Sequence, residues 1–201
     1  MQVIAWKQFL ENGLQTGNAS ASVTVGVFDG VHRGHRALLE RVVSHNAYVP
    51  AVITFKENHK TADSGHKNGS ERRITREIFS FEERLKLFEK LGIQIVIVID
   101  FNDEFKHMRG IEFLELLLKC CKIGFFAAGA DFRCGYQLDT DAEAIRGFFS
   151  SRGIPAEIVP QVMEDSLPIS SSRIRKAIFS GDLTLAEKML GAAYSEARAK
   201  N

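Results

Sequence analysis

Short apolar runs of strand length, separated by segments of helical periodicity, restrict the fold of this chain more than any other feature. The runs cover residues 23–28, 51–55, 93–99, 124–128 and 156–159. They are almost continuously apolar, and they do not alternate with polar residues. We therefore expect strands that are buried on both faces, as in a parallel sheet covered by helices.

Segments with apolar residues at helical spacing lie between and after these runs, at residues 36–43, 81–91, 111–121, 141–149, 171–179 and 183–190. This alternation predicts an α/β fold with a Rossmann-like, doubly wound parallel sheet, whose ligand site lies at the carboxyl ends of the strands. A length of 201 residues suits one large domain, and no Pro- or Ser-rich linker marks a second one. We therefore expect residues 1–201 to form a single domain.

Charge and hydropathy argue against several classes of partner. The chain has 26 basic and 25 acidic side chains, a net charge of +1, so it has no electrostatic footprint for nucleic acid. No apolar run approaches the roughly 20 residues of a membrane-spanning helix, and the N-terminal residues show no signal-peptide pattern. Cys120, Cys121 and Cys134 are odd in number, which predicts reduced thiols in a cytoplasmic protein. The oligomeric state is left open.

One segment, residues 56–70, breaks the strand–helix pattern. It is polar, lacks periodicity and follows the second apolar run directly. A loop of this length inside a compact domain is usually functional or disordered. Two interpretations therefore stay open, a mobile flap over a ligand site and a surface insertion.

The clearest chemical signature lies where the first apolar run meets the first helix, in the sequence GVFDGVHRGH that ends at His35. Gly30 and Gly34 allow close backbone approach, and a helix start presents unpaired N–H groups to phosphate. His32 and His35 are three residues apart, so both can donate hydrogen bonds to the same phosphate group. A zinc site is the alternative, although no third ligand lies at motif spacing.

A second candidate phosphate site lies at the start of a later helix. Serines at residues 170–172 can cap the helical run that follows, and Arg173 and Arg175 carry guanidinium groups suited to phosphate oxygens. Taken alone, this pattern is that of an ordinary helix cap with solvated arginines. Combined with the histidine turn, it favours a second phosphate-binding helix start.

Asp131 and Phe132 follow the fourth apolar run. A parallel sheet places such residues on the same rim as the two helix starts. A turn aspartate followed by a core phenylalanine is the structural alternative.

These motifs together resemble those of bacterial FAD synthetases in the nucleotidyltransferase superfamily, whose opening motif ends in His-x-Gly-His. Further similar segments lie at residues 81–93, 101–105, 112–114, 129–135, 169–175, 181–183 and 190–194, so the resemblance spans about residues 23–194. Such proteins are commonly bifunctional, with one half that adenylates FMN and a separate half that phosphorylates riboflavin. The given sequence ends soon after the matched segments, so we expect an adenylyltransferase module without the kinase half, either as a natural protein or as part of a longer one.

The resemblance implies an ATP-dependent FMN adenylyltransferase that forms FAD and pyrophosphate, with ATP and FMN as its small-molecule partners. It also implies Mg²⁺ that arrives bound to ATP, with no metal ion held by protein side chains. The implied catalytic residues are His32, His35 and Arg175. The implied ATP-binding residues are Gly26, Phe28, Asp29, Gly34, Ser171 and Ser172. The implied FMN-binding residues are Phe55, Asn58, Asp131 and Phe132.

Departures from the family pattern fall on the acceptor side. Where the family usually has Phe-x-Pro-His-Pro, this chain has the sequence FKENH, which begins at Phe55. Cys134 stands where an aromatic residue is common, and Thr140 replaces a usual glycine. Two alternatives therefore remain. The first is a nucleotidyltransferase that uses another small phosphate, such as phosphopantetheine or nicotinamide mononucleotide. The second is a catalytically inactive flavin- or nucleotide-binding module.

Overall fold

The computed structural model of the protein describes residues 1–56, 77–100 and 102–194, and its centre is a six-stranded sheet. The strands are β1 (Gln2–Ala5), β2 (Ala21–Val25), β3 (Val49–Phe55), β4 (Ile95–Ile99), β5 (Ile123–Gly129) and β8 (Ala156–Val159). Their order is β1-β4-β3-β2-β5-β8, and every neighbouring pair is parallel. The predicted doubly wound parallel sheet is thus confirmed.

Helices cover both faces of the sheet. They are α1 (Trp6–Asn12), α2 (Arg33–Val43), α3 (Phe81–Lys90), α4 (Asp103–His107), α5 (Gly110–Cys120), α6 (Ala142–Ser150), α7 (Ser171–Phe179) and α8 (Leu183–Leu190). Helices α1, α5 and α6 bury apolar residues on one face, whereas α2 and α3 do so on the other. Helices α7 and α8 form a third apolar cluster with Ile78 and Phe79.

Burial explains why these segments form strands. All five residues of β2 and all five of β4 are buried, because a central parallel strand has helices on both of its faces. Side-chain caps fix the helix starts: the Ser80 hydroxyl accepts from the Glu83 amide, and the Asp182 carboxylate accepts from the Leu185 amide. Gly191, at a φ of 69°, ends α8 in the left-handed conformation.

Two small antiparallel hairpins stand outside the main sheet. Strands β6 (Arg133–Cys134) and β7 (Thr140–Asp141) enclose a single 3₁₀ turn, Tyr136–Leu138. Strands β9 (Met163–Glu164) and β10 (Leu167–Pro168) form the second hairpin. Both hairpins follow central-sheet strands, β5 and β8, so they extend the carboxyl-terminal edge of the sheet.

The strand order reverses at β2, since β3 and β4 lie on one side of it and β5 and β8 on the other. In a doubly wound sheet this switch point opens a crevice at the carboxyl ends of the strands. The loops after β2 and β5 therefore meet at the place where the sequence predicts the ligand site.

Several boundaries differ from the prediction. Strand β1 was not predicted: three of its four residues are exposed, because it is a short edge strand that pairs only with β4. Strand β2 ends at Val25 and not at Phe28 as predicted, and the positive φ of Phe28 is incompatible with an extended strand. The polar segment from residue 57 onward lies outside the described residues. Within the described ranges, no helix has the length and apolar character to cross a membrane.

Candidate active site

A cavity of about 500 Å³ opens at the carboxyl ends of β2 and β5. Every predicted site residue within the described ranges lines it: Gly26, Phe28, Asp29, His32, Gly34, His35, Phe55, Asp131, Phe132, Ser171, Ser172 and Arg175. The remaining predicted residue, Asn58, lies outside the described residues. Residues separated by up to about three quarters of the chain therefore share one cavity.

The turn from β2 into α2 has an unusual backbone. Phe28 and Val31 have φ angles of 54° and 39°, a conformation that costs about 1–3 kcal/mol for a residue with a side chain. The Phe28 ring is buried and packs edge-on against Phe88 at 5.7 Å and His35 at 5.2 Å. A Cβ on Gly26 would lie 3.0 Å from that ring. Aromatic packing thus holds the turn in its strained shape.

The two histidines stack on each other at the start of α2. Their ring centroids are 3.5 Å apart with 18° between the planes, and His32 Nδ1 accepts a hydrogen bond from the His35 amide at 3.3 Å. Because Nδ1 of a neutral His32 is an acceptor here, its proton resides on Nε2. A Cβ on Gly34 would come within 3.2 Å of the His32 ring, so glycine lets the ring lie against the helix start.

Both imidazoles are neutral at pH 7. Burial lowers the pKa of His32 to about 4, and the nearby charge of Asp131 opposes that shift. The pKa of His35 falls well below 6.5, because of burial and because His32 and Arg84 disfavour a further positive charge. The Nδ1 atom of His35 is buried and has no hydrogen-bond partner among the described residues. An arriving phosphate anion would favour protonation of both rings.

The second helix start, that of α7, is held by hydrogen bonds to Asp29. The Ser171 hydroxyl donates to the Asp29 carbonyl at 2.9 Å, and Arg175 Nη1 donates to Asp29 Oδ2 at 2.5 Å. The other carboxylate oxygen, Oδ1, accepts from the Ile78 amide at 2.9 Å. Arg175 Nη2 also donates to the Ser172 hydroxyl at 3.3 Å. The buried Asp29 therefore joins three segments that are far apart in sequence.

One arginine from the second motif does not line the cavity. Arg173 Nη1 donates to the carbonyls of Glu164 at 2.7 Å and Leu167 at 2.9 Å, so it holds the β9–β10 hairpin. Arg173 is not among the residues that line the cavity, and its suitability for phosphate stays a prediction. Arg33, inside the histidine motif, likewise pairs with Glu164 and donates to the Lys188 carbonyl.

The lining contributed by β3, α4, α5 and the β6–β7 hairpin is largely apolar, although Lys106 and Arg133 also belong to it. The apolar lining residues in and next to these elements are Phe55, Phe105, Met108, Phe113, Phe132, Cys134 and Leu138, and the Phe55 and Phe105 rings meet edge-on at 5.9 Å. Asp131 is exposed at the rim. Burial raises the pKa of the Cys134 thiol to about 12, so this cysteine stays protonated at neutral pH. The cavity thus combines a polar end with an aromatic end.

Arg84 is a site-organising residue that the sequence analysis did not assign. Its side chain is 1% exposed, and it donates to the carbonyls of Val27 at 2.7 Å, Phe55 at 3.1 Å and Lys56 at 2.7 Å. It therefore fixes the ends of β2 and β3, which carry the histidine turn and Phe55. A basic residue on the buried, apolar face of α3 is the sequence signal that could have identified it.

The sequence also contained no indication that the end of β8 and the loop after it contribute to the cavity. Residues 159–162 line the cavity, but they carry no charged side chain or recognisable motif. Within the described residues, no three His, Cys, Asp or Glu side chains are grouped as a metal site.

A strained, histidine-bearing turn at the switch point of a parallel sheet, beside a second helix start with serines and an arginine, places this chain among the doubly wound α/β proteins, in which such helix starts commonly bind phosphate groups. The family model described as FAD synthetase matches residues 14–173. The chain belongs to the FAD synthetase family.

Relatives in the same family are longer than this chain. The bifunctional riboflavin kinase/FMN adenylyltransferase of Escherichia coli strain K12 is 28% identical over 185 residues, which cover 90% of this chain and 58% of the relative. The protein of that name from Haemophilus influenzae is 29% identical and is 60% covered. The Bacillus subtilis protein is 27% identical and 55% covered. The chain therefore spans somewhat more than half the length of these relatives.

Two solved structures share the fold. A crystal structure described as a macrolide-efflux protein from Streptococcus pneumoniae has a TM-score of 0.79 and 26% identity, and the match covers 96% of this chain and 61% of that one. Pantoate-beta-alanine ligase from Francisella tularensis has a TM-score of 0.54 and 14% identity, and the match covers 95% of this chain and 85% of that one. The second likeness concerns the fold alone.

Proposed function

We propose that this chain is an FMN adenylyltransferase, which transfers AMP from ATP to FMN and releases FAD and pyrophosphate. One observation carries the proposal: the histidine turn, the α7 start and the aromatic wall line a single cavity at the switch point of the sheet. Membership of the FAD synthetase family supports the choice of substrates. The relatives' names give two activities, riboflavin kinase and FMN adenylyltransferase. The matched part of this chain contains the histidine motif, which we assign to the adenylyltransferase activity.

The reaction needs no protein nucleophile. A phosphate oxygen of FMN attacks the α-phosphorus of ATP, a new P–O bond forms, and the bond between that phosphorus and the bridging oxygen to the β-phosphorus breaks. The electron pair leaves with pyrophosphate. Catalysis of this kind consists of positioning the reactants and stabilising charge.

His32 and His35 act on the phosphates. Neutral imidazoles can still donate N–H groups to phosphate oxygens. Burial lowers the pKa of both rings, and a phosphate charge beside them would raise it again. The His35 ring lines the cavity, so its imidazole can donate a hydrogen bond to a substrate phosphate there. Both rings therefore stabilise the additional negative charge of the transition state.

Arg175, Ser171 and Ser172 hold the leaving phosphates at the start of α7. The Arg175 guanidinium keeps donors beyond the one used by Asp29, since it has five N–H groups in all. The amides at the start of α7 add the positive end of a helix dipole. Gly26, Phe28, Asp29 and Gly34 shape the turn that faces them.

Mg²⁺ fits this site as a companion of ATP. Mg²⁺ prefers phosphate and water oxygens with one or two carboxylates, and Asp131 supplies one exposed carboxylate beside the histidines. When bound, the ion would neutralise charge on the phosphates. Asp131 would orient the ion or its water ligands.

The acceptor ring lies against the aromatic end of the cavity in this proposal. Phe55 and Phe132 offer flat apolar surface there, and Asn58 remains a predicted acceptor contact outside the described residues. The three cysteines are free, in line with the proposed reducing, cytoplasmic setting.

The direct test is to incubate the protein with FMN, ATP and Mg²⁺ and to separate the flavins by chromatography. We expect FAD together with an equal amount of pyrophosphate. The control variant His45→Gln changes a histidine that lies outside the cavity, so it should retain turnover.

The same assay with other phosphate acceptors distinguishes the alternatives. If pyrophosphate is released only with phosphopantetheine or nicotinamide mononucleotide, that compound and not FMN is the acceptor. ATP binding without pyrophosphate release from any acceptor would indicate a binding module, and the proposal would then be wrong.

A further inference from the structure

Leu138 combines two properties that rarely occur together. Its side chain is 54% exposed, although it is a large apolar residue that lines the cavity. Its φ is 58°, and that of the preceding Gln137 is 55°. Leucine is disfavoured in this left-handed region, where glycine and asparagine are the usual residues.

The surrounding backbone holds Leu138 in this conformation. The Tyr136 amide donates to the Met108 carbonyl at 2.8 Å, and the Leu138 amide donates to the Gly135 carbonyl at 3.0 Å. The Asp139 carboxylate accepts from the Gly110 amide at 3.0 Å. The 3₁₀ turn is therefore fastened to the start of α5, so the position of Leu138 is set by the fold.

Leu138 lies at the apolar end of the cavity, with Phe105, Met108 and Phe132 among the other lining residues. The exposed half of Leu138 gains no free energy of burial in this state. The strain becomes understandable if a ligand covers the side chain, because burial of apolar surface on binding is favourable. A small polar acceptor would leave that surface in water.

We propose that Leu138 contacts the ring system of the acceptor and selects for an acceptor with a flat apolar face. This inference rests on the proposed function and adds a specificity-determining residue to it. The contact is made to the ring and not to the phosphate, so it affects acceptor affinity independently of ATP. In this proposal, the histidine end of the cavity binds the phosphate of the acceptor.

The test is the substitution Leu138→Asn, which removes the apolar contact and places a residue that tolerates positive φ. We expect KM for FMN to rise about fivefold, the effect of uncovering roughly half a leucine side chain. The KM for ATP and kcat should stay within about twofold, since an interaction that is equal in ground and transition states changes KM alone. The unfolding midpoint in urea should not fall.

Two control variants separate the contact from the backbone. Leu138→Met keeps an apolar side chain, so its KM for FMN should stay near that of the wild type. Leu167→Asn makes the same change at a leucine that is 56% exposed on β10 and does not line the cavity, so it should leave KM for FMN unaltered.

Binding of riboflavin provides a readout that does not depend on turnover. Riboflavin has the ring but no phosphate, so in the presence of a non-hydrolysable ATP analogue its Kd should rise in Leu138→Asn by the same factor as that of FMN. An unchanged Kd for both flavins, with an active wild-type enzyme, would overturn the role of Leu138. A wild-type enzyme that makes no FAD would instead overturn the proposed function.

Discussion

The two helix starts that line the cavity are built in different ways. The start of α2 is held by aromatic packing around a strained turn, with Phe28 buried against Phe88 and two stacked imidazoles. The start of α7 is held by hydrogen bonds and an ion pair, in which Ser171 and Arg175 both donate to Asp29. Among the described residues, Nδ1 of His35 in the first start has no hydrogen-bond partner, whereas Ser171 and Arg175 in the second start donate to protein atoms.

This difference suggests a division of tasks. Polar atoms that lack partners in the protein are available to groups that change charge during a reaction, because no existing hydrogen bond has to break. Polar atoms that are already paired form a rigid support for phosphates whose position has to stay fixed. Under the proposed function, we therefore expect the packed start to serve the reacting phosphate and the hydrogen-bonded start to serve the leaving group.

The largest expected effect is on the packed start. His35→Ala removes a donor to the reacting phosphates and should lower kcat about 10²–10³-fold, the usual loss for one donor of this kind. Steady-state FAD formation measures the effect. The unfolding midpoint in urea should show that the variant is folded, and turnover equal to that of the wild type would contradict the assignment of His35.

The pH dependence of stability tests the buried imidazole of His32. Its pKa is about 4 in the folded protein and near 6.5 when unfolded, so the unfolded chain takes up the proton first as pH falls. The stabilisation from the neutral ring is complete above about pH 6.5 and is lost as the pH falls towards 4. The free energy of unfolding should decrease by about 3 kcal/mol over this range.

His32→Asn is the matched variant for this measurement, because asparagine also caps a helix start. Urea unfolding at pH 7 and at pH 4 gives the acid-induced loss for each protein. The loss should be smaller in the variant by about 3 kcal/mol. Equal losses in both proteins would mean that His32 is not the buried titrating group.

The hydrogen-bonded start depends on the pair of Asp29 and Arg175. A double-mutant cycle with Asp29→Asn and Arg175→Met should give a coupling free energy of about 2 kcal/mol, since both side chains are largely buried. Urea unfolding of the four proteins measures it. The exposed pair of Arg41 and Glu157 is the control cycle and should couple much more weakly, because water screens it. Similar coupling in both cycles would argue against a supporting role for Asp29.

The smallest effect concerns the cap of α7. The Ser170 hydroxyl accepts from the Arg173 amide at 3.2 Å, so Ser170→Ala should lower the free energy of unfolding by about 1 kcal/mol. Ser180→Ala, at the other end of the helix, is the control. A kcat for Ser170→Ala that falls as far as that of His35→Ala would mean that the α7 start also contacts the reacting phosphate.

Periodicity in the sequence was sufficient to predict most of the fold. The runs around Ile97 and Ala127 are buried on both faces, and such runs leave few alternatives to a parallel sheet. Strand β1 escaped prediction because only Ile4 of its four residues is buried. Its pairing with β4 is a long-range contact that no local pattern encodes.

The candidate site was predictable where its residues form motifs and not where they act through the backbone. The histidines and serines lie at helix starts, which their spacing indicates. Arg84 acts by donating to three carbonyls whose positions depend on the folded sheet. The backbone conformation of Leu138 likewise depends on a hydrogen bond between distant segments, from Tyr136 to Met108.

The pairing of Asp29 with Arg175 has a consequence for how the protein is made. The two residues are 146 positions apart, so at about 5–20 residues per second a ribosome takes on the order of ten seconds to supply the second after the first. Until then the carboxylate of the β2–α2 turn lacks the guanidinium of Arg175, although the Ile78 amide can already donate to it. A nascent chain that ends before α7 would therefore lack the hydrogen bonds that join the second helix start to the β2–α2 turn, so the two starts come together only late in synthesis.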